Sequence, residues 1–148
     1  MWAAYLGVNQ EDLLGLGIFG DPGIADAVRG EEYAMGYNNV AYIYDIQTRK
    51  KYKRIEVLPL DLDGSGDISE GEDFYDNLDS LVYAIKTGVY PSPPARELYF
   101  VSQGKPDREV VTRFIEWILN EGQQYLKEAG YVSLSAEKIT EELHKLGR

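Results

Sequence analysis

Residues 61–72 read Asp61-Leu-Asp-Gly-Ser-Gly-Asp-Ile-Ser-Glu-Gly-Glu72 and match the twelve-residue loop of an EF-hand position by position. Such a loop carries oxygen ligands at alternate positions, a glycine at the sixth and a bidentate glutamate at the twelfth. Here the sixth position is Gly66 and the twelfth is Glu72. The predicted ligands are Asp61, Asp63, Ser65, Asp67 through its backbone carbonyl, Ser69 and Glu72.

The donor types in this loop favour calcium. Calcium is a hard cation that takes six to eight oxygens at variable angles, so alternate residues of a tight loop can point inward. The carboxylates of Asp61, Asp63 and Glu72 would outweigh the charge of the ion, whereas Ser65 at the fifth position weakens the set. A single site without a partner hand predicts a loose affinity, roughly 10⁻⁵ to 10⁻³ M. An acidic, glycine-rich turn that holds no ion is the alternative interpretation.

The segments on either side of the loop predict a strand before it and a helix after it. Residues 54–60 alternate β-branched positions and contain a proline, which favours a strand over an incoming helix. After the loop, apolar residues recur at helical spacing: Phe74, Leu78, Leu81, Val82 and Ile85. The predicted arrangement is therefore strand, loop and helix rather than helix, loop and helix.

Strand and helix candidates alternate along the rest of the chain. Further strands are predicted at 16–19 and at the start of 33–44, whose remainder is predicted as strand or short helix. A buried strand is predicted at 97–102. Helices are predicted at 2–6, from residue 9, at 24–29, at 107–129 and after Ser135, which is the expected cap of the last helix. This alternation predicts an α/β protein with a small mixed sheet flanked by helices.

Composition excludes several kinds of site and partner. A chain of 148 residues suits one domain, and its formal net charge of −10 argues against nucleic acid and anionic membranes as partners. It has no cysteine and one histidine, His144, so disulfides, thiolate catalysis and a histidine cage within one chain are excluded. The sequence shows no signal-peptide pattern and no apolar run of membrane-spanning length. No pair of a nucleophile and a base is evident, and an enzyme is not expected.

Five stretches of the chain occur together, in this order and spacing, in a known family. They are Tyr5-Leu-Gly-Val-Asn-Gln-Glu-Asp-Leu13, Tyr33-Ala-Met-Gly-Tyr-Asn-Asn39, Gly88-Val-Tyr-Pro-Ser-Pro-Pro-Ala-Arg-Glu-Leu-Tyr-Phe100, Phe114-Ile-Glu-Trp-Ile-Leu119 followed by Glu121-Gly-Gln, and Glu128-Ala-Gly-Tyr-Val-Ser-Leu134. Across nearly the whole chain, the sequence thus resembles the phosphate-binding proteins of ABC transporters, in the form found in archaea and some bacteria. The Tyr-Pro-Ser-Pro-Pro-Ala-Arg piece and the Gly-Tyr-Val-Ser-Leu piece are the most specific.

The resemblance implies a type II periplasmic-binding-protein fold, in which two α/β lobes joined by a hinge close on the anion. Residues 1–44 would then belong to the second lobe and the return crossing. Residues 45–90 would form a strand, the calcium-type loop and a helix as an insertion, and 91–148 would form the C-terminal segment of the first lobe. The family's phosphate ligands precede the region that matches this chain, so no phosphate-binding residue is assigned here.

The resemblance also implies a function and a set of partners. The chain would be a fragment of the phosphate-binding component of an import system, and it would have no enzymatic activity. Its partners would be inorganic phosphate and the transporter permease. Such proteins run to roughly twice this length, so helices such as 107–129 would lack their sheet, and self-association through exposed apolar faces is expected. The family works on the extracellular or periplasmic side, but the missing export signal leaves a cytoplasmic location open.

Two other interpretations of the function remain at this stage. The first is a stand-alone calcium-binding or structural module that lacks a phosphate pocket. The second is an expressed fragment that has no independent role. Calcium affinity separates these two, and phosphate affinity separates both from the import receptor.

Overall fold

The computed structural model describes residues 2–147, which contain five α-helices and three short 3-10 helices. The α-helices are α1 (Trp2–Tyr5), α2 (Gly20–Gly30), α3 (Leu78–Thr87), α4 (Glu109–Leu119) and α5 (Ala136–Leu146). The 3-10 helices span Gln10–Asp12, Val40–Tyr42 and Glu121–Tyr125. Over the same residues, β-structure is limited to two isolated antiparallel bridges, Tyr44 with Lys51 and Lys50 with Asn77. The fold is helical, with long connecting segments.

The predicted α/β class with a small mixed sheet is wrong, because none of the predicted strands forms a ladder within residues 2–147. Residues 16–19, 54–60 and 97–102 contain neither helix nor strand, and residues 33–39 are irregular. Their composition favours extended backbone, but a strand needs a neighbour to satisfy its N–H and C=O groups. Local sequence could not show that these neighbours are missing.

The predicted helices are largely confirmed. The helix after the loop is α3, where the side chain of Asn77 caps the N-terminus and accepts a hydrogen bond from the N–H of Ser80 at 3.0 Å. Gly88, in the left-handed region at φ 76°, ends this helix. Ser135 caps α5 as predicted, since its hydroxyl accepts a hydrogen bond from the N–H of Lys138 at 3.2 Å. The helix predicted at 107–129 is shorter and corresponds to α4 and the 3-10 helix after it.

The chain divides into two compact units, Met1–Arg96 and Glu97–Arg148. The core of the first unit is a central cluster of four buried side chains, Tyr44, Tyr75, Leu78 and Leu81. Residues 44–53, which contain the bridge of Tyr44 with Lys51, are called the bridge segment. The hydroxyl of Tyr44 donates a hydrogen bond of 2.8 Å to the backbone carbonyl of Tyr75, which joins the bridge segment to the residues that precede α3. Burial raises the pKa of the Tyr44 hydroxyl well above its ordinary value.

The second unit exposes many apolar side chains. Its helices α4 and α5 contact each other, and Leu119 of α4 is buried. The predicted burial of residues 97–102 is also wrong. Four of their side chains are each 66% or more exposed: Leu98, Tyr99, Phe100 and Val101. No helix among residues 2–147 has both the length and the apolar character to cross a bilayer. The assignment of 1–44, 45–90 and 91–148 to lobes of a binding protein stays a prediction.

Candidate metal centre

The loop 61–72 begins beside a hydrogen bond to the central cluster and ends at a buried carboxylate. At the start, the N–H of Leu60 donates a hydrogen bond of 3.3 Å to the hydroxyl of Tyr75. At the other end, the side chain of Glu72 is only 5% exposed, three residues before the buried ring of Tyr75. The core therefore anchors the start of the loop, and its last carboxylate is shielded from solvent.

Three of the predicted ligands come together in this loop. Asp61, Asp63 and Glu72 each offer a carboxylate oxygen, and these oxygens lie within 4.8 Å of one another. Glu72 is buried, Asp61 is half-buried and Asp63 is exposed. This acidic triad could hold a metal ion, with one carboxylate on the core side and one on the solvent side.

Asp61 holds the first half of the loop together. One of its oxygens accepts hydrogen bonds from the N–H groups of Gly64 at 2.7 Å and Ser65 at 3.1 Å. The other accepts a hydrogen bond from the N–H of Gly66 at 2.8 Å. These bonds, the one from Gly66 foremost, lower the pKa of Asp61 and keep its carboxylate ionised.

Glu72 closes the loop from the opposite end. Its Oε1 accepts hydrogen bonds from the N–H of Leu62 at 2.6 Å and of Asp63 at 3.2 Å. Its Oε2 accepts two from Ser69, from the N–H at 2.8 Å and from the hydroxyl at 2.7 Å. Together they lower the pKa of Glu72 to about 2, and the backbone bond from Ser69 is the largest cause. The buried carboxylate is thus an ionised acceptor at neutral pH.

The sixth position of the loop requires glycine for its backbone. Gly66 has φ 89°, in the left-handed region that side chains with a Cβ rarely adopt. The turn that results aims three successive N–H groups, at residues 64 to 66, at the carboxylate of Asp61. The glycine that the sequence motif demands at this position is therefore used as expected.

The other predicted ligands take part in hydrogen bonds within the loop. The hydroxyl of Ser65 donates a bond of 3.0 Å to the backbone carbonyl of Asp67, so these two predicted ligands are partners of each other. The hydroxyl of Ser69 is directed to Glu72. The structure therefore brings the three carboxylates together and places the three weaker donors in supporting hydrogen bonds.

The stretch of sequence that contains the triad is strongly acidic. Residues 55–85 contain nine acidic residues and no lysine or arginine. Two of the nine, Glu56 and Asp79, form ion pairs with Lys51 and Arg49, which lie outside this stretch. Over residues 2–147, the triad itself has no cationic partner, so a bound cation would relieve the repulsion among its carboxylates.

Sequence reasoning missed the residues that support the triad. The backbone N–H groups of Leu62 and Asp63 and the hydroxyl of Tyr75 are not part of the motif. Tyr75 had a usable signal, since an aromatic residue just after the loop and before a helix is a candidate core residue. The backbone donors had none, because any residue supplies an N–H.

Comparison with protein-family models, with curated proteins and with solved structures finds no match to this chain.

Proposed function

We propose that the chain is a calcium-binding module, in which an ion bound in the loop 61–72 stabilises the first unit. The observation that carries this proposal is the meeting of the Asp61, Asp63 and Glu72 carboxylates within 4.8 Å, in a loop with EF-hand spacing. A set of carboxylate oxygens in one short loop suits calcium, whose coordination is adaptable. Magnesium demands a near-ideal octahedron and usually keeps several of its waters.

The remaining donors complete the shell in this proposal. Ser65 and Ser69 offer hydroxyl oxygens, and Asp67 offers its backbone carbonyl, after the hydrogen bonds they now make are exchanged for the ion. The oxygens of Glu72 likewise pass from backbone donors to the metal. Because these donors already lie in one short loop, little further ordering of the chain is needed, and preorganisation of this kind favours binding.

Calcium would act on stability because the loop is attached to the core. The hydroxyl of Tyr75 accepts a hydrogen bond from the N–H of Leu60, immediately before the first ligand, and the last ligand, Glu72, is buried. An ion that binds only the folded chain stabilises it by RT ln(1 + [L]/Kd). The proposed role is therefore structural, and no catalysis is assigned to it.

Isothermal titration tests this proposal directly. Calcium is expected to bind at one site with a Kd of roughly 10⁻⁵ to 10⁻³ M, and more tightly than magnesium. The double variant Asp61→Asn with Glu72→Gln should show no heat of calcium binding. Glu70→Gln is the matched control, because Glu70 lies in the same loop, is exposed and is outside the triad. A parent chain without a binding heat, or a double variant that binds like the parent, would overturn the proposal.

A second candidate function is part of an import receptor for phosphate. It is supported by the sequence resemblance and by one structural observation, the apolar face that α4 exposes at Val110, Phe114 and Trp117. These side chains are 66%, 56% and 45% exposed, and a second copy or a complementary lobe would cover them. The import of inorganic phosphate, the transporter permease and an extracellular or periplasmic location belong to this candidate alone.

Light scattering after size exclusion, followed by phosphate titration of the assembled species, tests the second candidate. The chain should associate as its concentration rises, and Phe114→Ser should shift it toward the monomer. The assembled form should bind inorganic phosphate. A chain that stays monomeric at all concentrations, or an assembly that ignores phosphate, would contradict this candidate without affecting the calcium proposal.

A further inference from the structure

Positive charge is concentrated in one short segment of this acidic chain. Five of its 15 lysines and arginines lie within residues 49–54. Arg49 pairs with Asp79 at 3.0 Å, and Lys51 pairs with Glu56. This leaves a group of exposed cations that have no carboxylate partner among residues 2–147: Lys50, Lys53 and Arg54. Unpaired cations are notable in a protein with a net charge of −10.

One of these cations lines a groove with aromatic walls, which we call the basic groove. Its lining residues are Arg29, Ala41, Tyr42, Tyr52 and Lys53. The guanidinium of Arg29 lies over the ring of Tyr52, with its carbon 5.1 Å from the ring centroid. The groove thus combines two cationic residues with two tyrosines.

Three elements of the first unit fix the position of the basic groove. Arg29 lies in the last turn of α2 and pairs with Asp26 at 3.2 Å. The N–H of Tyr52 donates to the carbonyl of Ile43 at 2.9 Å, next to the 3-10 helix Val40–Tyr42. The helix, the 3-10 helix and the segment that carries Tyr52 and Lys53 therefore each contribute residues to this open groove.

The connection between α2 and the 3-10 helix is also held closely. The side-chain amide of Asn38 donates a hydrogen bond of 2.7 Å to the carbonyl of Asp21 in the first turn of α2. Gly36 lies so near this helix that an added Cβ would come within 2.9 Å of Ile24. The wall that carries Tyr42 is therefore anchored to the helix that carries Arg29.

A strained turn presents Lys53 at the groove. The N–H of Ile55 bonds the carbonyl of Tyr52 at 3.3 Å, and Lys53 and Arg54 are the two residues inside this turn. Arg54 has φ 63°, a left-handed conformation that is uncommon for a residue other than glycine. Such backbone strain concentrates at ligand sites, and glycine would be the unstrained choice here.

We propose that the basic groove binds the phosphate group of a small organic phosphate monoester. A dianion suits two cations of different kinds, because a guanidinium offers a planar fork of donors and an ammonium a compact charge. The hydroxyls of Tyr42 and Tyr52 supply further donors, and the exposed ring of Tyr42 offers a surface for the organic part. The inference does not depend on the metal loop.

The overall charge selects a small ligand over a polymer. A net charge of −10 repels long polyanions, which sample the whole surface of the protein. At physiological salt the Debye length is about 8 Å, so a small anion in the groove experiences mainly its local cations. Arg29 shares its charge with the carboxylate of Asp26, so Lys53 is the groove cation that has no carboxylate partner among residues 2–147.

The test is an NMR titration with phenyl phosphate and with inorganic phosphate, in metal-free buffer so that the loop 61–72 plays no part. Phenyl phosphate should cause saturable chemical-shift changes at residues 29, 41–42 and 52–53, and its binding should weaken at high salt. Inorganic phosphate should bind more weakly at the same residues. The double variant Arg29→Gln with Lys53→Gln should bind phenyl phosphate about tenfold or more weakly than the parent chain. Lys86→Gln, an exposed cation elsewhere in the same unit, should change nothing.

Arg54→Gly is a second variant that guards against a folding defect. It removes one neighbouring cation and relieves the left-handed strain, so the chain should fold at least as well and bind phenyl phosphate less tightly. Four results would overturn the proposal. They are no saturable shifts in the groove, a double variant that binds like the parent, inorganic phosphate that binds as tightly as the ester, and a short oligonucleotide that binds more tightly than the ester.

Discussion

Glu72 accepts two hydrogen bonds from Ser69, one from its backbone N–H at 2.8 Å and one from its hydroxyl at 2.7 Å. The other oxygen of the same carboxylate reaches back ten residues to the N–H of Leu62 at 2.6 Å. A single buried side chain therefore closes the loop from both directions. This explains how the acidic loop keeps its shape while its carboxylates lie close together.

We expect Glu72→Gln to lower the melting temperature in the presence of a chelator. The side-chain amide of glutamine has one acceptor oxygen where the carboxylate has two. One set of donors in the loop, either the N–H groups of Leu62 and Asp63 or the donors of Ser69, therefore loses its partner. Thermal unfolding followed by circular dichroism measures the change. Glu70→Gln is the control and should melt like the parent; equal effects of the two substitutions would contradict this account.

Acid should destabilise the first unit through Glu72. Its pKa is lowered from 4.5 to about 2 in the folded chain, so the folded state favours the ionised form. The contribution is fully present above the unfolded pKa, near 4.5, and is lost as the pH falls through the folded value of about 2. Asp61, whose pKa is also lowered, adds to the same trend.

Chemical denaturation across this pH window, with chelator, measures the acid effect. Glu141 and Glu142, beside Lys145 in the second unit, also have a lowered pKa and add to the loss of stability in acid. The pH dependence of the parent chain alone therefore does not isolate the contribution of the loop. In Glu72→Gln the dependence on pH should be shallower. An unchanged slope in this variant would show that Glu72 is not the titrating group.

Gly66→Ala should destabilise the chain by about 1 to 2 kcal/mol, because an alanine is strained at φ 89°. Gly71→Ala is a matched control in the same loop. Gly71 does not have a positive φ, and an added Cβ would meet only the hydroxyl of Ser69, at 4.0 Å. Urea unfolding compares the two. If both alanines cost the same, the left-handed turn at the sixth position is not required.

Tyr44→Phe should cost about 1 kcal/mol, because it removes the hydroxyl that donates to the carbonyl of Tyr75 and leaves this buried acceptor without a side-chain donor. The ring remains, so packing in the central cluster should change little. Urea unfolding of Tyr83→Phe provides the control, since Tyr83 is 69% exposed on α3. A neutral Tyr44→Phe would mean that the hydrogen bond does not join the bridge segment to the core.

The features that sequence predicts well here are those encoded by near neighbours. The meeting of the Asp61, Asp63 and Glu72 carboxylates, the glycine at position 66 and the cap at Ser135 all depend on residues within one short segment. The sheet was predicted wrongly because a ladder depends on distant partners, and residues 97–102 have none within the described chain. The basic groove was missed for the same reason, since Arg29 and Tyr52 meet only in the folded unit.

The most direct test of the account is the melting temperature of the metal-free chain against calcium concentration. If calcium binds only the folded loop, the melting temperature should rise with the logarithm of calcium above Kd, and chelator should reverse the rise. The rise should be absent in Asp61→Asn with Glu72→Gln and retained in Glu70→Gln. A melting temperature that does not respond to calcium in the parent chain, or that responds equally in the double variant, would contradict the metal centre.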